Sequence, residues 1–171
     1  KVLFDLVLNH SAREHEFFKK AEQGDPKYVD WYDWQDEENS VPDTYFDWPY
    51  IANFNYDNLE VRRYLLDAVE KWADEVDGFR CDMAWAVPRP FWQEIHDLTK
   101  EKDSEFLLMD ETIPYVADFH NLCFDVHFDA GLYFDLVQIG TGDQPADQIF
   151  DSIQNRYSVG FPNHAGFLTY I

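Results

Sequence analysis

The sequence predicts an α/β fold in which helices wrap a parallel sheet. Short apolar runs typical of strands alternate along the chain with segments whose apolar residues recur at helical spacing. No glycine-rich phosphate loop follows any of the strand-like runs. Half of a (β/α)8 barrel therefore fits this order better than a doubly wound sheet, which stays open as an alternative.

The strand-like runs can be located along the chain because they end abruptly in polar residues. They occupy residues 2–8, 78–81, 105–111 and 165–171, with a further strand and part of a helix within 122–140. Helical patterns occupy residues 59–75 and 145–157. Between them, a further helical segment could start at Pro90. Asp57 stands three residues before Glu60, a capping-box pattern that predicts the start of the first of these helices.

One long segment, residues 11–55, does not follow this alternation. It is rich in Pro, Asp and aromatic residues and shows no sustained periodicity, apart from a short helical pattern near residues 14–22. It is longer than an ordinary connection between a strand and a helix. We interpret residues 1–171 as one partial catalytic-type domain from which residues 11–55 form an excursion.

Composition limits the partners of the chain. Its 171 residues carry 34 acidic and 13 basic side chains, a net charge of −21, beside 46% hydrophobic residues that can form a core. This charge argues against nucleic acid and anionic membranes as partners and favours a neutral or cationic one. Such an acidic but aromatic-rich composition suggests a halophilic protein. Cys81 and Cys123 are interpreted as buried thiols, since neither has zinc-ligand spacing.

Charged side chains lie where two of the predicted strands end. Residues two apart in a strand share a face, so Arg80 and Asp82 point the same way, and Glu111 ends the next strand. The carboxyl ends of parallel barrel strands form active sites. Neighbouring strands lie about 4.8 Å apart, which brings two such carboxyl groups to the roughly 5–5.5 Å separation of retaining glycosidases.

That spacing favours a covalent glycosyl-enzyme mechanism. Arg80 would hold Asp82 ionised and oriented as the nucleophile. Glu111, above an apolar strand and next to Asp110, would serve as acid and then base. The alternative for Arg80 and Asp82 is a structural ion pair in the core.

Three motifs resemble conserved regions of the α-amylase family of glycoside hydrolases. They are DLVLNH at residues 5–10, GFRCDMAW at 78–85 and LLMDE at 107–111, in the family's order. The segment IANFNYDNLEVRRYL at 51–65 also resembles the family. The resemblance extends almost end to end and implies that the chain holds about strands three to seven of a TIM barrel, with residues 11–55 as a short form of the family's small inserted domain.

The resemblance implies a role for each site residue. It implies that Asp82 is the nucleophile, Glu111 the acid/base and Arg80 the supporting cation, and that His10 donates a hydrogen bond to the sugar. Asn9 matches a position that binds structural calcium in many members, although a side chain that fixes the loop after its strand is the alternative. No cofactor is expected for the chemistry. The implied substrates are starch-like α-glucans or malto-oligosaccharides.

The sequence departs from the family pattern in three places. Asp110 replaces a residue that is commonly glycine, and Ala86 and Val87 replace a Lys-His pair. Specificity is therefore expected to be set around residues 83–87, with Met83 and Trp85 as substrate contacts. The Asn-His-Asp motif that supplies a third carboxylate is imitated only by Asn163 and His164, so we expect the true motif beyond Ile171. A transglycosylating relative, such as a glucanotransferase or sugar isomerase, and a non-catalytic binding subunit remain alternatives.

The 171 residues alone are expected to have no glycosidase activity. On the resemblance, they lack strands one, two and eight and a third carboxylate, and a partial barrel exposes sheet edges and part of its core. An assay of the isolated segment on starch and maltosides tests this expectation. Measurable turnover would contradict it.

Overall fold

A computed structural model of the chain describes residues 1–112 and 117–170, which fall into two compact units. The first unit contains Lys1–Asp5 and Val76–Ile171, and the second contains Leu6–Glu75. Among the described residues, none of the helices has the length and apolar character needed to cross a membrane. The interpretation of residues 1–171 as one partial barrel domain, with residues 11–55 as a short excursion, stays a prediction.

A five-stranded sheet organises the first unit. Its strands are β1 (Leu3–Leu6), β4 (Gly78–Cys81), β5 (Leu107–Asp110), β6 (Val126–Phe128) and β7 (Gly166–Leu168), and its helices are α3 (Arg89–Lys102), α4 (Ala117–Leu122), α5 (Ala130–Thr141) and α6 (Gln148–Ser158). The strand order is β1-β4-β5-β6-β7, and the β4–β5, β5–β6 and β6–β7 pairs are parallel. This sheet and its helices confirm the predicted α/β class.

The central strands β4 and β5 form because their side chains fill the core and their backbones approach closely. Phe79 and Leu108 are register partners, and both are fully buried. Gly78 and Leu107 form the preceding register pair, and a Cβ atom added to Gly78 would lie 2.4 Å from the carbonyl oxygen of Leu107. Only glycine fits this position, so Gly78 allows the two strands to pair from their first residues.

Helix α3 covers the core with one apolar face. Phe91, Trp92, Ile95 and Thr99 recur at helical spacing and are all completely buried. The Trp92 indole nitrogen donates to the carbonyl oxygen of Ala84 at 2.8 Å, which ties α3 to the segment after β4. The helix begins at Arg89, one residue before the predicted start, and Pro90 lies in its first turn.

The second unit combines two helices with a small antiparallel sheet. Its elements are β2 (His10–Ala12), α1 (Glu16–Glu22), β3 (Ile51–Asn53) and α2 (Leu59–Ala73), with short 3-10 turns at Val29–Trp31 and Tyr45–Asp47. Strands β2 and β3 pair in an antiparallel register. Neither was predicted, because three residues are too few to show an alternating pattern.

The start of helix α2 corrects the capping-box prediction. The side chain of Asn58, not Asp57, accepts the hydrogen bond from the backbone N–H of Glu60, at 2.8 Å. Asp57 instead lies in the preceding turn, where its backbone N–H donates to Asn55 Oδ1. The motif was assigned one residue too early because both residue types cap helices well.

Replacing Asn58 by Ala should lower the free energy of unfolding by about 1 kcal/mol, the usual effect of removing a helix cap. The Asn58 amide also donates to the carbonyl oxygen of Asp30, and that bond is lost as well. Denaturant unfolding of the full-length protein that carries this chain measures the change. Asp57→Ala is the matched control, and an equal loss in the two variants would contradict the assignment.

Candidate active site

The register of β4 and β5 places two carboxyl groups side by side. Cys81 is the partner of Asp110, so the next residue on each strand, Asp82 and Glu111, leaves the sheet at the same edge. This is the carboxyl edge of the parallel strands, where barrel folds build their sites. The structure therefore brings Asp82 and Glu111 together, as the strand-end argument predicts.

The guanidinium group of Arg80 joins these carboxyl groups. Its Nη1 atom lies 2.6 Å from Asp82 Oδ1, and its Nη2 atom lies 2.8 Å from Glu111 Oε1. Nη1 also lies 2.6 Å from Asp5 Oδ1, on the neighbouring strand β1. Below the guanidinium, the ring of Phe128 lies 5.4 Å from the guanidinium carbon. One cation thus orients three carboxylates.

The backbone around Met83 holds Glu111 from the other side. The Met83 N–H donates to Glu111 Oε2 at 3.2 Å, and Met83 itself has φ 45° and ψ 44°. This left-handed conformation is costly for a residue with a side chain, and here it directs the N–H towards the carboxylate. The Glu111 backbone is fixed as well, because its N–H donates to Cys81 and its carbonyl accepts from Ala84.

Burial raises the pKa of Glu111 above its usual value. The hydrogen bond from Met83 and the charge of Arg80 lower this pKa, while Asp82 raises it through its charge and a hydrogen bond. The raising contributions prevail, because a half-buried carboxyl group loses more hydration than its partners replace. Glu111 is therefore the carboxyl group of this site that keeps a proton more readily than an exposed glutamate.

Two residues near the site were not among the sequence candidates. Asp5 shares the DLVLNH motif, and its contact with Arg80 could have been inferred only by knowing that β1 lies beside β4. Burial is the main cause that raises the pKa of Tyr170, and the negative charge of nearby Glu111 raises it further. The Tyr170 ring stacks on Tyr133, with ring centres 4.7 Å apart. Tyr170 lies inside a predicted strand, and its sequence position gives no signal of a site.

The remaining candidates have different surroundings. Met83 is buried, with 6% of its surface exposed, whereas Trp85 is 38% exposed. Contact of either residue with a substrate stays a prediction. His10 belongs to the second unit, and its predicted contact with a sugar also stays a prediction.

Asn9 lies in the second unit and makes hydrogen bonds there. Its buried side chain donates to Asn53 Oδ1 at 3.0 Å, and Asn53 in turn donates to Asp43 Oδ2 at 3.1 Å. Within residues 1–112 and 117–170, no three His, Cys, Asp or Glu side chains are grouped so as to hold a metal ion. Asn9 is therefore oriented by an amide hydrogen bond, and calcium at this residue stays a prediction.

The chain belongs to the α-amylase family, because the family model described as the alpha-amylase catalytic domain matches residues 1–151. This confirms the resemblance of the three motifs.

Among curated relatives, the chain is 58% identical to the alpha-amylase MalA of Haloarcula japonica, over 99% of this chain and 25% of that protein. It is 32% identical to a cyclomaltodextrinase of Bacillus sp., over 65% of this chain and 22% of the relative. The chain thus spans about a quarter of the length of these relatives. The expectation of a halophilic protein fits the Haloarcula relative.

Solved structures share the fold. A cyclic alpha-maltosyl-(1→6)-maltose hydrolase from Arthrobacter globiformis matches 98% of this chain and 40% of its own with a TM-score of 0.83, at 21% identity. An alpha-amylase from Lactobacillus plantarum matches 98% of this chain and 41% of its own with a TM-score of 0.80, at 22% identity. These matches confirm the expectation of a partial TIM barrel.

Replacing Glu111 by Gln should raise the thermal unfolding midpoint of the full-length protein at neutral pH. Because folding raises the pKa of Glu111, the ionised carboxylate costs stability above that pKa, and the cost disappears as pH falls below the ordinary value of glutamate. Arg80 keeps Asp5 and Asp82 as partners in the variant.

Thermal melts between about pH 8 and about pH 4 measure this difference, which should shrink towards the acidic end. Glu105→Gln, at an exposed position before β5, is the control and should behave as wild type at every pH. A midpoint for the Glu111 variant below that of wild type at neutral pH would contradict the direction of the pKa shift.

Proposed function

We propose that the full-length protein carrying this chain is a retaining glycoside hydrolase that cleaves α-glucosidic bonds of starch-like glucans or malto-oligosaccharides. The observation that carries this proposal is the pair of carboxyl groups at equivalent ends of β4 and β5, joined by Arg80. The two carboxyl groups have different surroundings, and a retaining mechanism needs two carboxyl groups with different roles.

Asp82 has the surroundings of a nucleophile. Its Oδ1 atom is fixed on the guanidinium at 2.6 Å, so its orientation is set before a substrate binds. In the first step, a carboxylate oxygen of Asp82 forms a bond to the anomeric carbon as the glycosidic C–O bond breaks.

Glu111 has the surroundings of the acid and base. Its pKa is raised mainly by burial, so it can hold a proton for the departing glycosidic oxygen. The carboxylate left after that transfer is stabilised by Arg80 Nη2 and by the Met83 N–H. It then takes a proton from the water that attacks the anomeric carbon, which releases Asp82 and restores protonated Glu111.

The substrate class rests on the relatives and on charge. The printed names of the relatives include an alpha-amylase and a cyclomaltodextrinase, and a hydrolase of a cyclic maltosyl-maltose shares the fold. A neutral glucan suits a chain with a net charge of −21, because it meets no electrostatic repulsion. We infer that His10, Trp85 and Met83 contact the sugar.

Replacing Asp82 by Asn in the full-length protein should lower turnover of starch and maltosides by at least about a thousandfold, since the variant lacks the nucleophile. Chromatography of the products of the unmodified protein separates hydrolysis from transfer to another sugar. Asp97→Asn changes an exposed carboxylate on α3 and should keep full activity. Unchanged turnover by the Asp82 variant would overturn the role of Asp82 as the nucleophile and with it the proposed mechanism.

A further inference from the structure

A buried pair of ionisable side chains lies at the end of β5, one residue before Glu111. His127 Nδ1 and Asp110 Oδ2 are 2.7 Å apart, and their side chains are only 3% and 1% exposed. The His127 ring packs edge-on against Phe161, with ring centres 4.7 Å apart. Among the described residues, the second oxygen of Asp110 accepts no hydrogen bond. The pair is therefore enclosed in an apolar environment where polar groups are costly.

Such a pair is not the most stable way to fill a core. Replacing both partners of a buried hydrogen bond by apolar groups of the same shape can be neutral or stabilising, whereas removing one partner leaves the other unsatisfied and costs stability. The unbonded oxygen of Asp110 adds to the cost. The pair is better explained by the geometry it imposes than by stability alone.

The sheet register shows what this geometry fixes. Asp110 is the last residue of β5 and precedes Glu111, and its register partner on β6 is His127. Strand β5 pairs with β4 over four positions, from Gly78 to Cys81, but with β6 over only two. The contact between the Asp110 and His127 side chains reinforces the short β5–β6 pairing at its last register pair. This pair lies on the β6 side of Glu111, away from β4.

We propose that Asp110 and His127 form a positioning pair that fixes the end of β5, so that the Glu111 carboxyl group stays on Arg80 and on the Met83 N–H. The contacts of Glu111 with Cys81, Met83 and Ala84 all come from the β4 side. Without the pair, the end of β5 is held to β6 only by the backbone pairing of Met109 with Val126 and of Asp110 with His127, and Glu111 can move away from the oxygen it must protonate. This inference rests on the proposed role of Glu111 as acid.

A comparison of two substrates with different leaving groups distinguishes a misplaced acid from a general loss of stability. Cleavage of a malto-oligosaccharide needs a proton on the departing oxygen, whereas fluoride leaves a glycosyl fluoride with little protonation. In the full-length protein, Asp110→Ala should lower kcat/KM for maltotriose about tenfold, the scale of a small displacement of a catalytic group, and change that for α-maltosyl fluoride less than about twofold. Asp110→Asn keeps the shape and an acceptor atom and should recover part of the loss.

The matched control lies at the opposite end of the same two strands. Asp125 is held by Lys100 at 2.9 Å and accepts from the Leu108 N–H, before β6 begins. The Lys100 and Asp125 side chains are 21% and 36% exposed, so this pair is less buried than Asp110 and His127. Asp125→Asn weakens a side-chain contact at the other end of the same strands, and it should lower the melting temperature without changing the ratio of kcat/KM between the two substrates.

His127→Gln provides a second variant should Asp110→Ala fail to fold, and it should show the same selective loss on maltotriose. Equal losses on both substrates, or an unchanged ratio in a folded variant, would overturn the positioning role. Absence of turnover of both substrates by the unmodified protein would instead overturn the proposed function.

Discussion

The site depends on the guanidinium group of Arg80. It lies among three neighbouring strands and has an acidic partner in or after each of them: Asp5 within β1, Asp82 after β4 and Glu111 after β5. Without a cation there, three carboxylates would repel one another at short range. The aromatic ring of Phe128 adds a favourable face beneath the guanidinium, so its position is supported by packing as well as by charge.

One positive charge among three carboxylates leaves an excess of negative charge, and this excess is unevenly distributed. Asp5 is the most exposed of the three, at 61% of its side chain, so water reduces the cost of its charge. Asp82 and Glu111 are at 18% and 31% and depend more on the protein. Burial and the charge of Asp82 both raise the pKa of Glu111, and a proton on Glu111 relieves part of the excess.

Much of this arrangement could be predicted from local sequence patterns. The strand at residues 78–81 was predicted with its observed bounds, because an apolar run between Gly78 and Asp82 defines both ends. The meeting of Asp82 and Glu111 followed from the rule that parallel strands end at one edge.

Other features depend on contacts between residues distant in sequence. The bond between Asp5 and Arg80 spans 75 residues and requires knowing the strand order. The pairing of Asp110 with His127 required the register of β5 on β6. The N-cap at Asn58 could not be predicted for a different reason. Asp and Asn are equally good helix caps, so a sequence pattern cannot choose between the adjacent Asp57 and Asn58, and only the hydrogen bonds distinguish them.

The close approach at Gly78 has an evolutionary consequence for the whole site. A slip of one residue between β4 and β5 would place a side chain against the Leu107 carbonyl, where only a hydrogen atom fits, and would turn Asp82 to the other face of the sheet. Insertions and deletions between residues 78 and 82 therefore remove both the strand pairing and the carboxyl pair. Length variation in descendants of this sequence should accumulate instead in surface turns such as the one around Gly24, where a Cβ atom would meet no neighbour.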